Sequence, residues 1–143
     1  MEGIIFNQIG VSFKGSGSYV PDQILTNQKI SNRVDTSDEW IKSRTGISQR
    51  RISRPEENVS EMGYKAALGA IKMAKWDIQT IDLIVLATST PNDLFGSAPS
   101  IQAKLGAQNA VAFDLTAACS GFLFASITAC QFLKGGSHKR ALV

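Results

Sequence analysis

Three short apolar runs, residues 81–88, 110–115 and 140–143, alternate with segments whose apolar residues recur every three or four positions. Residues 60–75 carry Met62, Ala66, Ala67, Ala70, Ile71 and Ala74 at that spacing, which predicts an amphipathic helix with a small-residue packing face and core methionines. Residues 97–105, with Gly106 just beyond, and residues 119–133, closed by Gly135-Gly136, read as two further helices. The runs between them are rich in β-branched residues and lack polar alternation, as in strands covered on both faces. Strands separated by helices in this order imply a parallel sheet with catalytic positions at the carboxyl ends of its strands.

The amino-terminal third is less regular. Residues 4–19 look extended, a strand running into a loop at Gly15, Gly17 and Pro21. Gly15-Ser16-Gly17-Ser18 suggests a phosphate loop, but Val20 occupies the next glycine position and no helix follows directly, so these are read as turn glycines. A short helix is expected over residues 27–33. A second is expected from Thr36, where Thr36-Ser37-Asp38-Glu39 forms a capping box, to the stop at Thr45-Gly46.

With 143 residues, 43% of them hydrophobic, the chain can bury the core of one ordinary domain. The start, Met1-Glu2-Gly3-Ile4-Ile5-Phe6, lacks a basic leader and no apolar run reaches membrane-spanning length, so a cytoplasmic protein without membrane association is expected. Two cysteines make no disulfide framework: Cys119 and Cys130 share one predicted helix, about 16 Å apart along its axis, and should be free thiols. Asn58-Val59-Ser60 matches a glycosylation sequon by chance. The net charge of +3 owes much to Lys42, Arg44, Arg50, Arg51 and Arg54, a cluster suited to an anionic partner or to a solvated face. No recognition-helix pattern or zinc spacing accompanies it, so neither nucleic acid nor a metal is expected.

Cys119 lies in Phe113-Asp114-Leu115-Thr116-Ala117-Ala118-Cys119-Ser120-Gly121-Phe122, where an apolar run meets a helix. A thiol in the first helical turn faces unpaired N–H groups and the positive end of the macrodipole, which favour thiolate. Small neighbours would let a substrate approach the sulfur. The other reading is a buried cysteine acting as a small hydrophobe, and this segment alone leaves the two level. The single histidine, His138, lies nineteen residues further on, roughly 25 Å away at helical rise, beyond the reach of a catalytic base. Trp40 and Arg44 share a helical face, as a core tryptophan with a snorkelling arginine or as a clamp for a flat aromatic base.

Gly15-Ser16-Gly17-Ser18-Tyr19-Val20-Pro21, Val34-Asp35-Thr36-Ser37-Asp38-Glu39-Trp40-Ile41-Lys42-Ser43-Arg44-Thr45-Gly46-Ile47, Arg51-Ile52 and Ala117-Ala118-Cys119-Ser120-Gly121-Phe122 together resemble β-ketoacyl-acyl-carrier-protein synthase III. The likeness runs from about Gly15 to Val143. The segment around Trp40 and Arg44 is specific to this branch, whereas the cysteine segment occurs in several thiolase-fold relatives. The resemblance implies an α/β, thiolase-like fold of two similar α-β-α-β-α halves. Residues 1–143 would be the amino-terminal half, a mostly parallel mixed sheet covered by helices, with the carboxy-terminal half absent. A last strand that reaches Leu142 and Val143 without a cap or turn suits that expectation.

By the same resemblance Cys119 matches the nucleophile of a Cys-His-Asn triad whose other members would lie beyond Val143. The implied reaction starts fatty acid synthesis: the cysteine takes an acyl group from a short acyl-CoA, usually acetyl-CoA, and passes it to malonyl-acyl carrier protein with loss of carbon dioxide. Acyl-CoA is a substrate, so no cofactor is expected. Trp40, Arg44 and Thr36 match the residues that hold the adenine of CoA, and Phe95 matches one that lines the partner's acyl pocket across a homodimer. Residues 95–102 depart from the commonest family pattern, apparently by one residue, which bears on primer length. The alternatives are a hydroxymethylglutaryl-CoA synthase-like enzyme, against which the Trp40 segment argues, and a non-catalytic CoA-binding or interaction module.

Overall fold

A computed structural model describes residues 10–92 and 94–143. The chain divides into two units, Tyr19–Asn58 and the remainder, Met1–Ser18 with Val59–Val143. In the smaller unit, β1 (Gln23–Thr26) pairs antiparallel with β2 (Gln49–Ile52), with α1 (Asn27–Ser31) and α2 (Asp38–Thr45) between them. The Thr26 hydroxyl caps α1 by accepting the Lys29 N–H at 3.3 Å. The Ser37 hydroxyl caps α2 by accepting the Trp40 N–H at 3.0 Å. Gly46 ends α2 with φ 71, a left-handed geometry that a side chain would strain.

Four details of the sequence reading change in this unit. Ser37 rather than Thr36 caps the second helix, so Glu39 falls one position short of the reciprocal contact that a capping box needs. The first helix stops at Ser31, two residues early. Neither β1 nor β2 was expected, because Gln23–Thr26 and Gln49–Ile52 are mostly polar and are paired by the backbone, not by an apolar face. Pro21 ends no strand, because residues 10–21 adopt no regular structure. The rest of the extended stretch foreseen over 4–19, residues 4–9, lies outside the described residues.

The larger unit carries the parallel sheet. β3 (Leu83–Ala87) is central, flanked by β4 (Val111–Leu115) and β5 (Ala141–Leu142), and both pairings are parallel. Alternation along β3 feeds two cores. Ile84 packs with Ala67 and Ile71 of α3 (Val59–Ala74) and with Ile101 and Leu105 of α4 (Ala98–Leu105). Leu83 and Val85 face the other way, onto Ala125 and Ala129 of α5 (Gly121–Lys134). Ile81, Leu83 and Val85 are at most 1% exposed, and each contributes about 1.5–3 kcal/mol by burial. Asp82 ties the start of β5 by accepting the N–H groups of Lys139 at 2.8 Å and Arg140 at 3.0 Å.

The parallel sheet between helices is therefore as the periodicity implied, with corrected edges. Among the described residues β4 pairs with β3 alone and is partly exposed rather than buried, with Val111 53% exposed. Met73 is 61% exposed and Met62 half-buried, so the methionines of α3 are not core: alanines and Ile71 form the packing face. Gly15 and Gly17 are contact glycines rather than turn glycines. A Cβ on Gly17 would strike the backbone at Ala66 and Ala70, so the absence of side chains lets this segment lie directly on α3.

Candidate functional site

The larger unit presents Cys119 at the carboxyl end of the sheet. β4 leads out of Leu115, and the Thr116 hydroxyl donates to the Thr88 carbonyl at 2.8 Å, binding the exit of β4 to that of β3. Ala118 then takes φ 45, a left-handed conformation rare for a residue with a Cβ, and Ala118–Ser120 form one tight turn. The helix begins at Gly121, two residues later than the sequence reading placed it. Cys119 therefore stands on the turn before α5 rather than inside its first turn. Gly121 is buried, and a Cβ there would meet the Ala87 Cβ at 3.1 Å, so glycine lets α5 start close against β3. Ser120, at the cap position, makes no side-chain bond to the first-turn N–H groups.

Cys119 is exposed and unbridged, and Cys130 is a half-buried free thiol. Among the described residues nothing buries Cys119, which was level between nucleophile and core cysteine on sequence alone. His138 lies past the far end of α5, edge-on to Phe132 with ring centres 5.1 Å apart, and its Nδ1 is 2.9 Å from the Ser137 hydroxyl. It belongs to the opposite end of α5 from Cys119, as helical rise implied.

The loop before α4 is built with care that the sequence reading missed. Asp114, the one acid in an otherwise apolar strand, accepts the N–H groups of Ser97 at 2.8 Å and Ala98 at 2.7 Å. It thus ties the strand that leads to Cys119 to the start of α4, and each such charge-assisted bond contributes about 1.5–3 kcal/mol. The signal available beforehand was the carboxylate itself, which a buried strand tolerates only with partners. Asn92 closes the loop, donating its N–H to the buried Ser97 hydroxyl at 2.8 Å and its amide to Ser60 at 2.7 Å. Above this base Leu94 and Phe95 are 101% and 91% exposed.

In the smaller unit α2 presents Trp40 and Arg44 together. Within this segment Trp40 is 58% exposed and Arg44 is exposed, and Ile41 alone of α2 is buried. Beside Trp40 lies an open hollow of about 360 Å³ lined by Asp35, Thr36, Ser37 and Trp40. Among the described residues the buried Thr36 Oγ1 has no hydrogen-bond partner. At the other side of α2, Lys42 bonds the Asp38 carboxylate at 2.8 Å. That bond, and then one from Asn27, holds the Asp38 carboxyl below its ordinary range, against a small opposing effect of burial.

Among the described residues no group of three or more His, Cys, Asp and Glu could hold a metal ion, and no helix is long and apolar enough to cross a membrane. The parallel α/β architecture is that of the thiolase-like fold. Residues 113–143 match the family model of 3-oxoacyl-[acyl-carrier-protein (ACP)] synthase III. Across all 143 residues the chain is 85% identical to a β-ketoacyl-[acyl-carrier-protein] synthase III of Prochlorococcus marinus subsp. pastoris, spanning 43% of that relative's length. Among solved structures, the 3-oxoacyl-[acyl-carrier-protein] synthase III of Aquifex aeolicus superposes with TM-score 0.88 at 44% identity, over 92% of this chain and 43% of that one. The enzyme of the same name from Thermus thermophilus gives 0.86 at 33% identity, over 92% and 41%. Over the residues it spans, the chain is similar to enzymes of the β-ketoacyl-acyl carrier protein synthase III family, and it covers less than half the length of these relatives.

Proposed function

We propose that residues 1–143 form the amino-terminal half of a β-ketoacyl-acyl carrier protein synthase III that primes fatty acid synthesis in the cytoplasm as a homodimer. The observation that carries this reading is the exposed Cys119 on its strained strand-to-helix turn, in a chain so similar to enzymes of that name. The Cys119 sulfur attacks the thioester carbonyl of a short acyl-CoA, and CoA leaves as the protonated thiol. Malonyl-acyl carrier protein then loses carbon dioxide, and the resulting carbanion attacks the acyl-cysteine and frees the thiol. Covalent capture divides one hard step into two easier ones. The Cys119 N–H is one donor to the oxyanion, and the histidine, the asparagine and the second donor belong to the carboxy-terminal half.

In this reading Trp40 and Arg44 clamp the adenine of CoA and the Thr36 hydroxyl bonds it, while Phe95 reaches the acyl pocket of the second subunit. The exposure of the first two supports the nucleotide role. Acyl-CoA is consumed as substrate, and no cofactor, nucleic acid or membrane takes part. The test is mass spectrometry of the full-length protein after exposure to acetyl-CoA. An acetyl adduct on Cys119, absent from Cys119→Ser, establishes the first half-reaction, whereas folded protein without the adduct refutes it.

A further inference from the structure

A helix of eight residues with one buried side chain is held only weakly by packing, so something else must set the pose of α2. The candidate is Asn27, the first residue of α1, which is 0% exposed although its side chain is an amide. Its Nδ2 donates to Asp38 Oδ1 at 2.9 Å, in the first turn of α2, and to the Ile47 carbonyl at 2.7 Å, one residue past the Gly46 cap. Its Oδ1 accepts from the Arg50 guanidinium on β2. One carboxamide therefore brackets α2 at both ends and ties the bracket to the neighbouring strand. A buried amide is tolerated only when bonded in this way, and the same bonds resist rotation of the helix.

We propose that Asn27 is the positioning residue for the nucleotide-binding face of α2, fixing Trp40 and Arg44 without touching CoA itself. The inference rests on the reading of Trp40 and Arg44 given above. Asp38 is part of the same bracket, because its other oxygen is engaged by Lys42 on the next turn of the helix. Releasing the bracket leaves the chemistry at Cys119 intact and blurs only the site that recognises the nucleotide.

The experiment compares two thioesters in a full-length enzyme carrying this segment: acetyl-CoA, and acetyl-N-acetylcysteamine, which lacks the nucleotide. Asn27→Ala removes the bracket. Asn27→Asp keeps the volume and the acceptor for Arg50 while losing both donors, and serves if the alanine variant does not fold. Loss of these bonds should raise KM for acetyl-CoA about 5- to 10-fold with kcat held within about twofold, and leave kcat/KM for acetyl-N-acetylcysteamine within about twofold of wild type. Equal losses on both thioesters mean a general structural role and overturn the proposal, as does no loss on either. Trp40→Ala, run alongside, separates the two claims. If it shifts the ratio between the thioesters while the Asn27 variants do not, the bracket is wrong and the nucleotide face stands. If Trp40→Ala leaves the ratio unchanged, the nucleotide face itself is wrong and the bracket's role falls with it.

Discussion

Ala118 holds its left-handed backbone because Thr116 is bonded to Thr88 on one side and Gly121 seats α5 against Ala87 on the other. Neighbours that over-determine a strained residue are what keep such a turn from relaxing. Replacing Ala118 with glycine removes that strain, so the variant is expected to gain up to about 1 kcal/mol of stability while losing acyl-transfer rate; thermal melting and burst-phase acylation of the full-length protein measure the two. Asp38 supplies a second prediction at this scale. Its carboxyl is held below its ordinary value by Lys42 and then Asn27, so the group binds protons more weakly folded than unfolded. Its stabilising contribution is complete above the unfolded value near pH 4 and is lost as pH falls through the lower folded value. Asp38→Asn should remove that part of the acid dependence, which a pH series of urea unfolding below about pH 4 would reveal as a flatter slope.

Among the elements, α3 shows how small residues are used. Its alanines and Gly69 accept the segment containing Gly15 and Gly17 at backbone distance, and the sulfur of the largely exposed Met73 accepts the Ser16 N–H at 3.3 Å. Gly17→Ala forces a Cβ into the α3 backbone and should cost about 1–3 kcal/mol, whereas Gly10→Ala, with open space around it, should cost little; paired denaturant melts distinguish them. The alanine face was visible in the three-to-four spacing of residues 60–75. The segment that occupies it was not, because glycine carries no periodic signal and the contact spans about fifty residues of sequence. β1 and β2 escaped for a related reason: their short mixed sequences show no regular apolar alternation, and only the backbone ladder identifies them. Asp114 lies between these cases, visible as a charge within a strand but silent about the Ser97 and Ala98 N–H groups it serves.

At the scale of the molecule, the chain spans less than half the length of its relatives, and the proposed triad needs groups that it does not hold. Purified residues 1–143 are expected to give no condensation of acetyl-CoA with malonyl-acyl carrier protein, and turnover by this segment alone would refute the division of labour proposed above. Phe122, Leu123, Phe124 and Ile127 of α5 are each about half exposed or more, a large apolar surface for a single helix to offer water. The sequence by itself determined the alternation of strand and helix, the parallel sheet and the placing of Cys119 where a strand meets a helix, because hydrophobic periodicity and turn residues act locally. Tertiary structure alone decided that Cys119 and Trp40 are exposed, that Ser37 rather than Thr36 caps α2, and that Asn27 and Asp114 are ties. Exposure and hydrogen-bond partners depend on which distant residues arrive alongside, and no local pattern encodes that.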